Sequence, residues 1–479
     1  MNGGGLRCKV VGEGGNLGFT QLGRVEYALS GGRINTDAID NSAGVDCSDH
    51  EVNIKILLNA TMRSGRLALG ERNKLLAEMT DEVAALVLRD NYFQTQSLSV
   101  SGALAPSLLE VHERFIKHLE KAGHLNRALE FLPDDEEFAE RRAAKLGLTS
   151  PERAVLLAYA KIALNEALLD SNVPDDPFIS TALERYFPAR LREPFRVEIY
   201  AHPLRREIIA THVTNSMVNR VGSTFVYRMQ DETGAAAPNV VRAYLIVREV
   251  FGFVDLWREI EALDYKVPDR VQTAMIIDGG RLLVRATLWF LRNRAHLGDL
   301  ARAIEHFGAG ARRVKALLPE LLPATEKPAY EAASRRLEKE GVPAELARHA
   351  AGFDAMFGAL DIVEVARELG RDIDTVARVY FGVSGELDFP WLRTRVGMLA
   401  ADDHWQTRAK AALRDDLAAI LRNLSADALQ GEGTIAAWKT RNAKRYERFR
   451  QILADLHAAE APDLAMLSVA VRELRDLAR

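Results

Sequence analysis

The sequence predicts a mainly α-helical protein with a short α/β segment at its N-terminus, and three observations carry that expectation. Beyond Met62 apolar residues recur at three- and four-residue steps almost throughout, for example Leu75-Leu76, Met79, Val83, Leu86-Val87 and Tyr92-Phe93. That spacing is the signature of one buried helix face. The head differs in composition, since eleven of the 33 glycines lie between Gly3 and Gly44 and no proline precedes Pro106. Glycine at this density marks tight turns and close backbone approach. Within the same head, short strand candidates alternate with helix candidates, the rhythm of a parallel sheet.

Composition bounds the class. The chain has 479 residues, 48% hydrophobic and 27% charged, with 63 basic against 67 acidic residues for a net charge of -4. A length of this kind corresponds to about three domains' worth of chain, and the balance excludes disorder. Near-neutrality argues against a nucleic-acid partner. No apolar run reaches the ~18 residues of a membrane helix, and Met1-Asn2-Gly3-Gly4-Gly5 is no secretory signal. Cys8 and Cys47 are too few for a disulfide scaffold or a cysteine zinc site. The expectation is a soluble, cytoplasmic protein.

Taken in order, Leu6 to Val11 reads as a strand, Gly12 to Gly18 as a loop, and Phe19 to Leu29 as a helix ended by Gly31-Gly32. Arg33 to Asp40 reads as a second strand, Asn41-Ser42-Ala43-Gly44 as a turn, and Ser48 to Met62 as a second helix. Two strands cannot form an independent sheet, so the head reads as a Rossmann-like remnant of a larger domain. Helices are expected near 106–122, 134–146, 151–170, 203–229, 239–262 and 268–294. More are expected near 343–370, 373–384, 402–423, 433–457 and 462–477, while Asn172 to Pro177 and Gly234 to Pro238 read as surface connections. Thr149-Ser150-Pro151-Glu152 combines a cap residue with a first-turn proline and acid. There is no fixed-period repeat.

Two segments could carry chemistry. Gly12-x-Gly14 begins a dinucleotide fingerprint, but Leu17 occupies the third glycine position and Gly18 arrives one residue late. The loop is therefore readable as a structural turn or as a pyrophosphate cradle. In the second segment, Asn41 to Glu51, Ser48 with Glu51 reads as a capping box. The same helix start could bind a carboxylate through free amides and a serine hydroxyl. Asp46, Cys47, Asp49 and His50 read as a solvated helix start, and no metal is expected. Cys8 reads as a small buried hydrophobe. Further on, His212, Asn215, Ser216, Asn219 and Ser223 form a polar stripe beside an apolar one at Val213, Met217, Val221 and Phe225. Short polar groups suit a packed helix seam, and a solvated face is the alternative. The pairs Arg205-Arg206, Arg312-Arg313 and Arg335-Arg336 read as solvated or ion-paired.

Glu13-Gly14-Gly15-Asn16, then Gly31-Gly32-Arg33-Ile34, then Asn41-Ser42-Ala43-Gly44-Val45 with Ser48 and Glu51 resemble the glutamate dehydrogenase family. The string from Gly12 to Asn59 resembles the large bacterial NAD-dependent members in particular, and Thr211 to Gly222 resembles their C-terminal region. The resemblance implies oxidative deamination of L-glutamate to 2-oxoglutarate and ammonia by hydride transfer to NAD, followed by imine hydrolysis. It implies cofactor contacts from Glu13, Gly14, Gly15, Asn16 and Asn41, with the two asparagines beside the nicotinamide. It implies substrate contacts from Ser48, Val45 and Gly44, with Ser48 on the side-chain carboxylate. Gly15, Ser42 and Ala43 stand where the family usually has alanine, alanine and glycine.

The resemblance also implies an organisation. Residues 1–100 would be the C-terminal part of the NAD-binding catalytic domain and residues 101–479 a helical C-terminal domain. The match begins at residue 6, so the catalytic lysine and aspartate and the full glycine fingerprint are expected upstream. No residue of this chain is expected to be catalytic, and the chain alone is expected to be inactive. The full-length enzyme would be a homo-oligomer. The competing reading is a non-catalytic helical scaffold or regulatory or oligomerisation module.

Overall fold

A computed structural model describes residues 2–400 and 404–478. Helices account for most of it. In chain order they are α1 (Gln21–Leu29), α2 (Asp37–Asp40), α3 (Ser42–Arg63), α4 (Leu69–Glu78), α5 (Thr80–Ala103), α6 (Ala105–Lys121), α7 (Asp135–Ala143) and α8 (Ser150–Leu169). Three short helices follow, α9 (Ala182–Tyr186), α10 (Ala189–Arg192) and α11 (Arg196–Tyr200), then α12 (Arg205–Val221), α13 (Phe225–Thr233), α14 (Ala237–Val250), α15 (Phe253–Glu261) and α16 (Asp269–Arg292). The remainder are α17 (Leu300–Leu321), α18 (Lys327–Lys339), α19 (Ala344–Ala351), α20 (Phe353–Met356), α21 (Gly358–Leu369), α22 (Ile373–Glu386), α23 (Phe389–Met398), α24 (His404–Ala428), α25 (Ile435–Arg441), α26 (Ala443–Ala458) and α27 (Leu464–Leu477). The expected helix start at 402 lies outside the described residues.

The helical body follows the periodicity, with breaks that periodicity does not reveal. The stretches expected as single helices at 203–229 and 239–262 are each divided by a glycine in left-handed space, Gly222 at φ +85° and Gly252 at φ +65°. A β-carbon is costly there, so glycine permits the turn. The cap at Thr149 is as expected: the Glu152 carboxylate accepts from Thr149 N at 2.6 Å and also holds Arg141 through two 2.7 Å bonds. Helices α17 and α18 add to those the sequence leads one to expect.

The α/β head corrects the strand expectation. Among the described residues there is no strand, only an isolated parallel bridge between Val10 and Arg33. It rests on Val11 N to Arg33 O at 2.9 Å and Arg33 N to Lys9 O at 3.0 Å. Val10 is 65% exposed; with no third partner, the two segments lack the neighbours that would propagate a ladder. Residues 37–40 of the second expected strand are helix α2 instead, where Asp37 and Asp40 supply first-turn acids. Cys8 is exposed rather than buried, with Sγ 3.7 Å from the Tyr27 hydroxyl. In the expected connection 172–177, Val173 and Pro174 are buried.

Two compact units divide the chain, one formed by Met1–Leu245 with Phe290–Leu300 and one by Ile246–Trp289 with Ala301–Arg479. In the first, α3 packs on α5, α5 on α8 and α12, and α12 on α8 and α9. Leu57, Leu58, Ile116, Phe138 and Leu164 are buried at its centre. The polar stripe of α12 is partly packed: Asn219 is buried, while His212 and Asn215 are half-buried. In the second unit, α21, α22 and α24 pack together, as do α26 with α27 and α18 with α19. No helix among the described residues is long and apolar enough to cross a membrane. The arginine pairs meet acids, Arg205 and Arg206 with Asp175, Arg313 with Asp374 and Arg335 with Glu331.

Candidate functional site

The glycine loop is fastened by two acids and one arginine. Glu13, 4% exposed, accepts from Arg24 Nε at 2.6 Å, Arg24 Nη2 at 2.9 Å and the Phe19 amide at 2.9 Å. Its own amide donates to Asp40 Oδ2 at 3.0 Å, and Leu17 N donates to Asp37 Oδ2 at 2.9 Å. The Leu17 amide and, less strongly, Ala38 N and the Arg24 charge hold the Asp37 carboxyl below its ordinary value. Underneath, Tyr27 donates to Cys8 O at 2.7 Å, and its ring lies where a β-carbon on Gly32 would be 2.2 Å from Cζ. Gly32 is therefore required by close approach. By contrast, Gly12, Gly14 and Gly15 have nothing within 4 Å of a would-be β-carbon, so that stretch of backbone faces open space.

This loop meets the start of α3. Asn41 Nδ2 donates to Asn16 Oδ1 at 3.0 Å, joining two motifs that lie 25 residues apart in sequence. A β-carbon on Gly44 would sit 3.0 Å from Asn41 Oδ1, so glycine there leaves the amide its room. Behind the turn, Asn91 Nδ2 donates to Ile39 O at 2.8 Å and to Ser42 Oγ at 3.0 Å. One side chain thus ties α5 to both ends of the α2–α3 junction. Asn35 links the same region to α8 by accepting from Ser150 Oγ at 2.8 Å.

Helix α3 begins six residues earlier than expected, which corrects the capping box. Asn41, not Ser48, is the N-cap residue, and Ser48 lies in the second turn. Its exposed hydroxyl donates to Gly44 O at 3.3 Å, and Glu51 pairs with Lys55 instead of reaching back. With α2 ending at Asp40, the chain needs only Asn41 before winding again, so Ala43 and Gly44 are absorbed into the helix. Asn41, Gly44, Val45 and Ser48 nevertheless share one face, because they recur at three- and four-residue steps. That face is outward: Gly44 and Ser48 are exposed and Val45 is 77% exposed. Gly14, Gly15 and Asn16 are likewise exposed. The Glu13 carboxylate, expected at the cofactor, is turned inward to Arg24 and the Phe19 amide.

The opposite face of α3 carries Asp46, Asp49, His50 and Asn53; of the residues read as a solvated helix start, Cys47 and Asp49 are exposed as expected, whereas His50 is buried and Asp46 half-buried. Tyr186 donates to Asp49 Oδ2 at 2.7 Å and accepts from Asn53 Nδ2 at 2.9 Å. Its ring stacks on His50 with centroids 4.6 Å apart. His202 meets Asn53 O at 3.1 Å. Burial lowers the His50 pKa against the pull of Asp49 and Asp90, and burial raises both Asp46 and Asp90. Lys161 on α8 is pushed down to about 8 by burial, opposed by the same two carboxylates. Sequence reasoning missed Asp90, Asn91, Lys161 and Tyr186. They reach α3 from 40 to more than 130 positions away, and no local pattern encodes that meeting.

Comparison with known proteins defines the class first: residues 145–476 match the family model described as "Glutamate dehydrogenase, C-terminal". Residues 1–101 match "Bacterial NAD-glutamate dehydrogenase, catalytic domain". The chain is 45% identical over 481 aligned positions to the NAD-specific glutamate dehydrogenase of Pseudomonas aeruginosa. It is 42% identical to the enzyme of that name from Halomonas elongata and 41% identical to that from Mycobacterium tuberculosis. In each case 99% of this chain is covered but only 30% of the relative. The chain belongs to the bacterial NAD-glutamate dehydrogenase family.

Proposed function

We propose that this chain supplies the C-terminal part of the NAD-binding catalytic domain, residues 1–100, and the helical C-terminal domain, residues 101–479, of an NAD-specific glutamate dehydrogenase. The extents of the two matching family models support that division. The reaction is oxidative deamination of L-glutamate to 2-oxoglutarate and ammonia, in a homo-oligomeric, cytoplasmic enzyme. The lone parallel bridge at Val10 and Arg33 has the sense that a Rossmann-like sheet requires, and neighbouring strands of a longer polypeptide would extend it.

The observation that carries the reading is the bond between Asn41 and Asn16. It draws the glycine loop and the exposed face of α3 into one surface, and the residues there suit the cofactor. With Asn41 Nδ2 spent on Asn16 Oδ1, an amide donor of Asn16 and the carbonyl oxygen of Asn41 remain. Those are the complements of a primary carboxamide such as that of nicotinamide. The bare backbone at Gly14 and Gly15 gives a ligand close access. NAD, when bound, accepts the hydride. The chain's residues orient the reactants: Ser48 offers its hydroxyl to the substrate's side-chain carboxylate, while Val45 and Gly44 form the adjoining wall. Groups that polarise the substrate and move protons are assigned to the lysine and aspartate upstream, so no residue here is catalytic.

In the full-length enzyme, Ser48→Ala is expected to raise the KM for glutamate. A hydrogen bond to a charged group contributes about 1.5–3 kcal/mol, or roughly 10- to 150-fold in affinity. An unchanged KM would remove Ser48 from the site. Purified residues 1–479 should show no turnover with glutamate and NAD. Turnover near that of the full-length enzyme would overturn the assignment of catalysis to upstream residues.

A further inference from the structure

We propose that Asp46, His50 and Asp90 bind one divalent cation of the zinc or manganese type at the contact between α3 and α5. One ligand atom from each residue lies within 4.8 Å of the other two. Asp46 and His50 are one helical turn apart on α3, with His50 Nε2 3.8 Å from Asp46 Oδ1, and Asp90 enters from α5. A mixed set of one imidazole and two carboxylates suits these metals rather than softer ones. Binding to such ions at about 2.0–2.2 Å sets the ligand atoms roughly 3.4 Å apart in tetrahedral geometry. The side chains would close inward by about 1 Å, within the reach of rotamer adjustment.

Acidic side chains near a histidine are common, and the decisive point is what these three lack. His50 is 3% exposed and makes no hydrogen bond through either nitrogen; its Nδ1 and Asp46 Oδ2 are buried without a partner. Neither the Asp46 nor the Asp90 carboxylate accepts a hydrogen bond from any described residue. A buried polar group without a partner costs about 1–3 kcal/mol, and more when charged, so such groups are normally satisfied. Two carboxylates facing each other also repel.

The other charged groups facing this point do not supply the missing contact. Lys161 on α8 feels both carboxylates, yet its ammonium hydrogen-bonds Gln94 Oε1 at 3.1 Å and forms no ion pair with either. Arg89 is exposed on α5. Asp49 and the Tyr186 hydroxyl satisfy one another. A dication would take up one oxygen of each carboxylate and the His50 nitrogen that faces them, and cancel the repulsion between the two acids.

The test is calorimetric titration of the chelator-treated full chain with zinc chloride and with manganese chloride, using Asp46→Asn, His50→Ala and Asp90→Asn beside Glu51→Gln as a control. One equivalent should bind to the unaltered protein. Each ligand variant should weaken binding by about tenfold or more, while Glu51→Gln leaves it unchanged; even outer partners of metal ligands cost about 10–100-fold. The two asparagine variants preserve shape, so circular dichroism equal to that of the unaltered protein separates lost ligation from lost folding. Cobalt(II) added to the unaltered protein should give visible d–d bands that vanish in His50→Ala. Absence of saturable binding, or equal binding in all three ligand variants, overturns the proposal.

Discussion

Glu13 and Arg24 show how a single pair can decide what a loop is free to do. The glutamate falls in a family motif, so the sequence points outward to a ligand, whereas the structure points its carboxylate inward to the guanidinium. Removing one partner of a buried ion pair strands the other charge and costs about 3 kcal/mol or more. Arg24→Met should accordingly destabilise the head by about that amount, read as a lower urea midpoint and faster proteolysis between residues 12 and 18. A second residue makes stability depend on pH. His112 on α6 is buried, and that burial, helped by the Arg153 charge, pushes its pKa down to about 3. Between its ordinary value near 6.5 and about 3, the unfolded chain binds a proton that the folded chain refuses, so stability falls as pH falls. The contribution is at most ~1.4 kcal/mol per pH unit. Denaturation of His112→Gln from pH 7 to pH 4 should show a shallower decline than the unaltered protein; equal slopes would assign the proton uptake elsewhere.

At the scale of elements, periodicity predicted helices well and their ends poorly. The capping signal at Thr149 and Glu152 was legible because all its participants lie within four residues and the acid finds Arg141 nearby. The equally well-formed signal at Ser48 and Glu51 misled, because α2 ends directly before Asn41 and the helix could begin earlier, leaving Ser48 in its second turn. Whether a cap motif is used depends on the preceding element, which a window of a few residues does not contain. The kinks at Gly222 and Gly252 were hidden for a related reason: a lone glycine in a helical pattern reads as tolerated until φ is known. Gly222→Ala should cost about 1–2 kcal/mol, measured by thermal unfolding. Gly32→Ala should cost more, because its β-carbon overlaps the Tyr27 ring and the Cys8–Tyr27 contact must open to accept it.

For the whole molecule, periodicity anticipated the helical body, and the residues of the proposed ligand face lie in two short motifs that a sequence window contains. The inward face of α3 was not legible. Its partners arrive from α5, α8 and α9, and only packing brings them together. Packing also predicts dynamics. The head's described residues hold one bridge, a three-residue 3-10 helix at Gly3–Gly5 and one α-helix of nine residues before α2, whereas α8 is buried along Leu156, Leu157, Ala160, Leu164 and Leu168. Hydrogen exchange tracks local opening, so amides of Gly12 to Gly18 should exchange far faster than those of Leu156 to Leu168. Comparable protection in both would contradict the structure.

Asp90 and Asn91 are consecutive on α5, yet one turns toward His50 and the other suspends the junction that ends at Asn41. A rigid helix carrying both cannot shift at one without moving the other. Any displacement of α5 itself toward α3, beyond what rotation of the Asp90 side chain takes up, therefore also repositions the amide beneath Ile39 O and Ser42, and with it the asparagine pair on the outer surface. The two faces of α3 are then thermodynamically linked, and the linkage is reciprocal: whatever factor the inner occupant imposes on outer affinity, the outer occupant imposes on the inner.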